Sequence, residues 1–193
     1  MRRLASLLLC ATTFAFASAA QAFEDDGFRF TTFASGEQEI QPPGGVVTDT
    51  TATLRLDFRR DLSSAKFRLS VFDGELITQA HLHCARAGVN GPVVAFLFNV
   101  APVPGPGGVN VDGRLARDRL TNDDIEPVDF AANPACGVAI NNIASLFAAV
   151  LDGIIYLNVH SEGNPAGEVR GQFFPIGGDG RFADGDGDED GDD

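Results

Sequence analysis

Lys66-Phe67-Arg68-Leu69-Ser70-Val71 alternates a polar side chain with an apolar one at every step. Successive side chains of a β-strand point to opposite faces, so a period of two describes a strand with one face in a core and one in water. The pattern extends outward on both sides. Leu54, Leu56 and Phe58 alternate with Arg55 and Asp57; Phe28, Phe30 and Thr32 alternate with Arg29 and Thr31. Further strands are expected over Ile77–Cys84, Val93–Phe98, Ile154–His160 and Glu168–Phe174. Residues 60–64 and 161–165 have the composition of hairpin connections, and the Pro- and Gly-rich residues 41–45 and 102–108 that of surface loops.

One segment breaks the period. Ile143, Leu146, Phe147 and Val150 recur at i, i+3, i+4 and i+7, one apolar stripe on a short helix over Asn142–Val150. Asn141 or Asn142 would cap its start, and Gly153 lies close to its end. About seven to nine short strands and one helix predict an all-β protein, an antiparallel β-sandwich or small barrel of immunoglobulin-like or superoxide-dismutase-like form.

Composition narrows the function. The 193 residues have room for one domain. The formal net charge of -13 is wrong for nucleic-acid binding, which sets Lys and Arg against phosphates. Arg2 and Arg3 precede an apolar run, Leu4 to Ala20, and Ala20-Gln21-Ala22 fits a small-x-small cleavage site. Residues 1–22 therefore read as a signal peptide and the protein as exported, to the periplasm or beyond the cell. The run falls short of the roughly 20 apolar residues of a membrane span, so no membrane insertion is expected after cleavage. Leu9 before Cys10 is too large for a lipoprotein site. The one Met is residue 1, so a mature chain could not supply the axial Met of a blue-copper site.

Cys84 and Cys136 would remain after cleavage. In an oxidising compartment one disulfide is the simplest outcome, with Cys84 as a metal ligand beside two histidines the alternative. Residues 177–193 form an acidic Asp/Gly-rich tail, with eight acids from Asp179 onward against Arg181 alone. Such a segment has too little apolar surface to order itself. Asp186-Gly-Asp188-Glu-Asp190-Gly191 matches the first half of a calcium loop but lacks the distal bidentate acid. Diffuse association with divalent cations is the most it offers.

The histidines are the candidate chemistry. His81 and His83 sit two apart on a strand, so they share a face with Cα atoms about 6–7 Å apart. Ile155, Leu157 and Val159 make the apolar side of a later strand, which places His160 opposite them with Asn158 and Tyr156. Glu168, Arg170 and Gln172 likewise oppose Val169 and Phe173. If these strands are neighbours, one polar face gathers all of these side chains. Three histidines with an open position suit copper or zinc, with Asn158, Glu168 and Arg170 as candidates for orienting the ligands. The simpler reading makes the histidines hydrogen-bonding groups that fix strand register, and Glu168 with Arg170 a structural ion pair or partners of loop backbone. No nucleophile elbow, Walker loop or H-E-x-x-H motif occurs, and no catalytic residue is assigned.

The same stretches carry a family resemblance. Glu39-Ile-Gln-Pro-Pro43 with Thr51-Ala-Thr-Leu54, Ala80-His-Leu-His83 with Gly91-Pro-Val-Val94, and Tyr156-Leu-Asn-Val-His160 with Gly167-Glu-Val-Arg-Gly-Gln172 resemble, in order, successive elements of the CHRD domain, named after chordin. The resemblance runs from about Phe28 to Phe174, which sets the expected domain at 23–176. Ser161, Ala166 and Cys84 depart from the family pattern, the last in favour of a disulfide particular to this chain. The resemblance implies an extracellular β-rich module of largely unassigned activity. The chain lacks the cysteine-rich modules that accompany the domain in chordin, so growth-factor antagonism is not carried over. Two functions stand: a non-catalytic module that binds an extracellular or periplasmic partner through the polar face, and a three-histidine copper or zinc protein, redox-active at its extreme.

Overall fold

The computed structural model describes residues 27–40, 43–100 and 107–173. The expected signal peptide and acidic tail lie outside these residues. Seven strands and one α-helix follow in the order β1 (Phe28–Ser35), β2 (Thr51–Phe58), β3 (Ala65–Cys84), β4 (Val93–Asn99), β5 (Val109–Leu120), α1 (Ile143–Leu151), β6 (Ile155–Ser161) and β7 (Val169–Gln172). Every strand pairing is antiparallel.

The architecture turns on β3. The two strands expected over residues 66–71 and 77–84 are one strand of 20 residues. It bends near residues 73–76, where Asp73 and Leu76 take positive φ and the pairing with β5 shifts register. Its first half is flanked by β2 and β5, its second half by β6 and β4. β2 pairs with β1, β6 pairs with β7, and Ser35 of β1 faces Arg170 of β7. The chain of pairings closes into a small barrel. Gly171 permits the closure: a Cβ there would lie 2.4 Å from the Phe33 carbonyl oxygen.

The strand β5 was not anticipated. Its sequence, VNVDGRLARDRL, has little apolar alternation, because it pairs with β3 alone among the described strands and most of it stays exposed.

Alternation fills the barrel as expected. Phe30, Leu54, Leu56, Phe58, Phe67, Leu69, Leu82 and Leu157 all lie in one buried core. Helix α1 buries Ile143, Leu146, Ala149 and Val150, and its Phe147 ring packs against Phe28, Phe30 and Phe58 at 4.8–5.9 Å between centroids. Asn142 is the cap: its Oδ1 accepts from the Ser145 N–H at 2.8 Å. Thr121 and Asp124 form a capping box at a short 3-10 turn. Cys84 and Cys136 form a disulfide 52 residues apart in sequence. Closing a loop of that size is worth about 4 kcal/mol in the chain-entropy account. It also removes Cys84 from the candidate metal ligands. No helix among the described residues is long and apolar enough to cross a membrane.

Candidate metal centre

The second half of β3 and β6 are direct neighbours. His81 faces Asn158, His83 faces Tyr156, and Gln79 faces His160. Ala80, Leu82, Cys84, Leu157 and Val159 point into the core, so the three imidazoles share the other side of the sheet. Ring centroids are 5.6 Å apart for His81 and His83, 5.0 Å for His81 and His160, and 6.4 Å for His83 and His160. One ring nitrogen from each lies within 4.8 Å of the others.

The remaining nitrogens decide the tautomers. His83 Nδ1 is 3.0 Å from the Gly91 carbonyl oxygen, and His160 Nδ1 is 3.0 Å from that of Pro165. A carbonyl only accepts, so each Nδ1 carries the proton and each Nε2 presents a lone pair. Those two Nε2 atoms and both ring nitrogens of His81 are buried without a hydrogen-bond partner. Each such group costs about 1–3 kcal/mol when nothing satisfies it. Neutral His81 keeps a proton on one of its two nitrogens, so the cluster offers three lone pairs, one per ring, and these point to a ligand that takes lone pairs.

A metal is such a ligand. Metal–nitrogen bonds of about 2.0–2.1 Å at tetrahedral angles set the nitrogens roughly 3.3 Å apart. The rings therefore need to converge by no more than about 1.5 Å from the 4.8 Å limit. Imidazole donors held by backbone carbonyls suit zinc and copper.

Burial keeps the set neutral. It pushes His81 down to about 3, helped by the neighbouring His160 and His83. It pushes His83 down to about 4, against the bond to Gly91 and aided by His160 and Arg170. His160 is lowered by burial too, against its bond to Pro165.

The CHRD domain matches residues 30–173. The chain belongs to the CHRD domain family. Comparison with curated proteins and with solved structures returns no match. In this CHRD domain three of the family-like segments, those holding His81 and His83, Gly91, and Tyr156 with His160, meet at the histidine face. Gly91 is the hinge of that convergence. Its carbonyl holds His83 and its N–H donates to the Tyr156 hydroxyl at 3.1 Å. A Cβ at Gly91 would fall 1.9 Å from the Cys84 carbonyl oxygen, so only glycine brings this backbone so near β3.

The polar face is present but covered. Tyr156 stacks on His83 with centroids 5.0 Å apart, and the Arg170 guanidinium lies 3.5 Å above the other part of this stack, on the Tyr156 ring. Arg170 is only 2% exposed. It donates to Asn90 Oδ1 at 3.1 Å and to the carbonyls of Val89 and Arg86 at 3.0 and 3.4 Å. Gln172 adds bonds to the carbonyls of Ala85 at 2.8 Å and Gly153 at 2.9 Å. Together they fasten the loop that carries Gly91.

Asn158 and Glu168 direct their hydrogen bonds elsewhere than the imidazoles. Asn158 donates to Glu39 and to the Val169 carbonyl. Glu168 accepts from Thr48, Ser161 and Asn164. Burial alone would raise its pKa, but those bonds outweigh it and hold Glu168 below the usual carboxylate range. The orienting role falls to the Gly91 and Pro165 carbonyls, which no side-chain pattern reveals.

In the sequence Glu39 stands out only as part of a family-like stretch. It is buried at 7% exposure, and burial pushes its pKa up to about 7 against the pull of Arg170 and Asn158.

These shifts carry a pH dependence. The depressed histidines contribute stability that is present above about pH 6.5 and is lost as pH falls towards 3–4. Glu39 acts in the opposite sense, its contribution lost as pH rises from about 4.5 through 7. Three imidazoles outweigh one carboxyl. Chelator-treated protein is expected to melt on the order of 5–10 °C lower at pH 4.5 than at pH 7.5. Equal melting temperatures would mean the rings are solvated.

Proposed function

We propose that this CHRD domain is an exported, non-catalytic metal-binding module that holds one copper or zinc ion on His81, His83 and His160. The observation that carries the reading is the cluster of buried, partnerless ring nitrogens, with two of the three tautomers set by backbone carbonyls. Three neutral nitrogen donors leave a fourth position for water or a small ligand. The reading of export rests on residues 1–22 and on the Cys84–Cys136 disulfide. Partner binding through the polar face is the weaker reading, since Asn158, Arg170 and Gln172 are buried. A superoxide-dismutase-like or immunoglobulin-like barrel is the finer fold reading, supported by the antiparallel strands closed around one core.

The test is metal stoichiometry. Protein stripped with chelator, offered copper(II) or zinc(II) and dialysed should retain one equivalent of one of them. The copper form should show nitrogen hyperfine structure in its paramagnetic resonance spectrum. Retention well below one equivalent of both ions would refute the reading.

A further inference from the structure

The outer face of the sheet on the other side of the β3 bend carries a charge pattern that the metal centre does not use. Two rows cross it in register. Arg29, Asp57, Lys66 and Arg119 lie opposite one another on β1, β2, β3 and β5, and Arg55, Arg68 and Arg117 on β2, β3 and β5. With Arg114 this face holds seven of the chain's 14 basic residues, although the net charge is -13. Asp57 pairs with Arg29 and Arg55 at 3.8 and 2.9 Å. Among the described residues no carboxylate pairs with Lys66, Arg68, Arg114 or Arg117. Like charges directly opposite on neighbouring strands destabilise a sheet. Three arginines in register are therefore a cost that a bound polyanion relieves. A hollow of about 470 Å³ is lined by the four bases Lys66, Arg68, Arg117 and Arg119 and by the two carboxylates Asp57 and Asp118.

We propose that this face docks the chain's own acidic segment, residues 179–193. That segment holds eight carboxylates and one guanidinium, complementary in sign and in number to the face. The path of the chain supports the assignment. β7 runs antiparallel to β1, from Arg170 beside Ser35 to Gln172, whose carbonyl accepts from Thr32 Oγ1. The chain thus heads towards the Phe28 end of β1, where the Arg29–Asp57–Lys66–Arg119 row begins. Twenty residues follow Phe173. At about 3.3–3.6 Å per residue they reach across the whole sheet. Tethering raises the local concentration of the segment to the millimolar range, so modest charge pairing suffices. The docked segment masks the face against other polyanions.

Lys66, the single lysine of the chain, makes the proposal testable. Zero-length carbodiimide coupling of the full-length protein at low salt is expected to join Lys66 to an acid among residues 179–193. The product should be monomeric and should vanish in 0.5 M salt, roughly three times physiological ionic strength, where the Debye length shrinks to a few ångströms. Coupling of Lys66 only to body acids such as Asp57 or Asp118, or only between labelled and unlabelled chains, would overturn the proposal. A second measurement uses the variant with all eight tail acids changed to amides. It should bind heparin, the polyanion probe, at least tenfold more tightly than wild type. Equal affinity would sink the masking.

Discussion

His160→Ala is expected to weaken copper or zinc binding more than 100-fold while leaving the metal-free protein as stable as wild type, or slightly more so. His160 closes the set: its ring lies 5.0 and 6.4 Å from those of His81 and His83, and without it two donors remain. Loss of a group that merely supports a ligand costs 10–100-fold in affinity, so loss of a ligand costs more. In the metal-free protein the change removes a buried, partnerless Nε2 and a neighbour that holds His81 down. Saturating metal should raise the melting temperature of wild type but not of the variant, since only a tightly bound ligand stabilises the native state. If His160 served only to fix strand register through Pro165, the variant would lose about 1 kcal/mol of stability and bind metal normally. Isothermal titration and thermal melts, run with and without metal, separate the two.

Arg170→Met is expected to be the most destabilising exchange in the polar face, by about 3–5 kcal/mol, the usual result of removing one partner of a buried charged network. The guanidinium stacks on Tyr156, lies within electrostatic reach of Glu39, and bonds Asn90 and the carbonyls of Val89 and Arg86. Methionine keeps the bulk and abandons every polar partner. Arg170→Lys should recover little, because a single ammonium cannot stack on the ring and reach three acceptors at once. Pairing Arg170→Met with Glu39→Gln should restore part of the loss by removing the stranded carboxyl. Metal affinity should fall by a smaller factor, through loosening of the loop that brings the Gly91 carbonyl to His83. Denaturant unfolding at neutral pH measures the first effect and metal titration the second. A fall in affinity with unchanged stability would mean that Arg170 acts on the metal directly.

Much of this was legible in residue order. Alternation around Phe67, Leu54 and Phe30 placed three strands and their core faces, and the same parity put His81, His83 and His160 on the side away from the core. The i, i+3, i+4 stripe from Ile143 placed the helix, and the pair Cys84 and Cys136 named the disulfide. These features are local: side-chain direction in a strand or helix follows from backbone geometry over a few residues. β5 escaped because an edge strand with so little buried surface leaves little apolar signal, and the bend in β3 read as a break between two strands.

By itself, then, the sequence determined the all-β class, the family, and which side of its strands each imidazole takes. Tertiary structure alone decided that β3 and β6 are neighbours, that the rings converge, that the polar face lies beneath a loop clasped by Arg170, and that Gly91 and Pro165 supply the carbonyls. Each of these depends on contacts between residues far apart in the chain, here as distant as Arg170 and Asn90. Carbonyl groups, moreover, are common to every residue type, so no pattern of side chains can announce which one will be used.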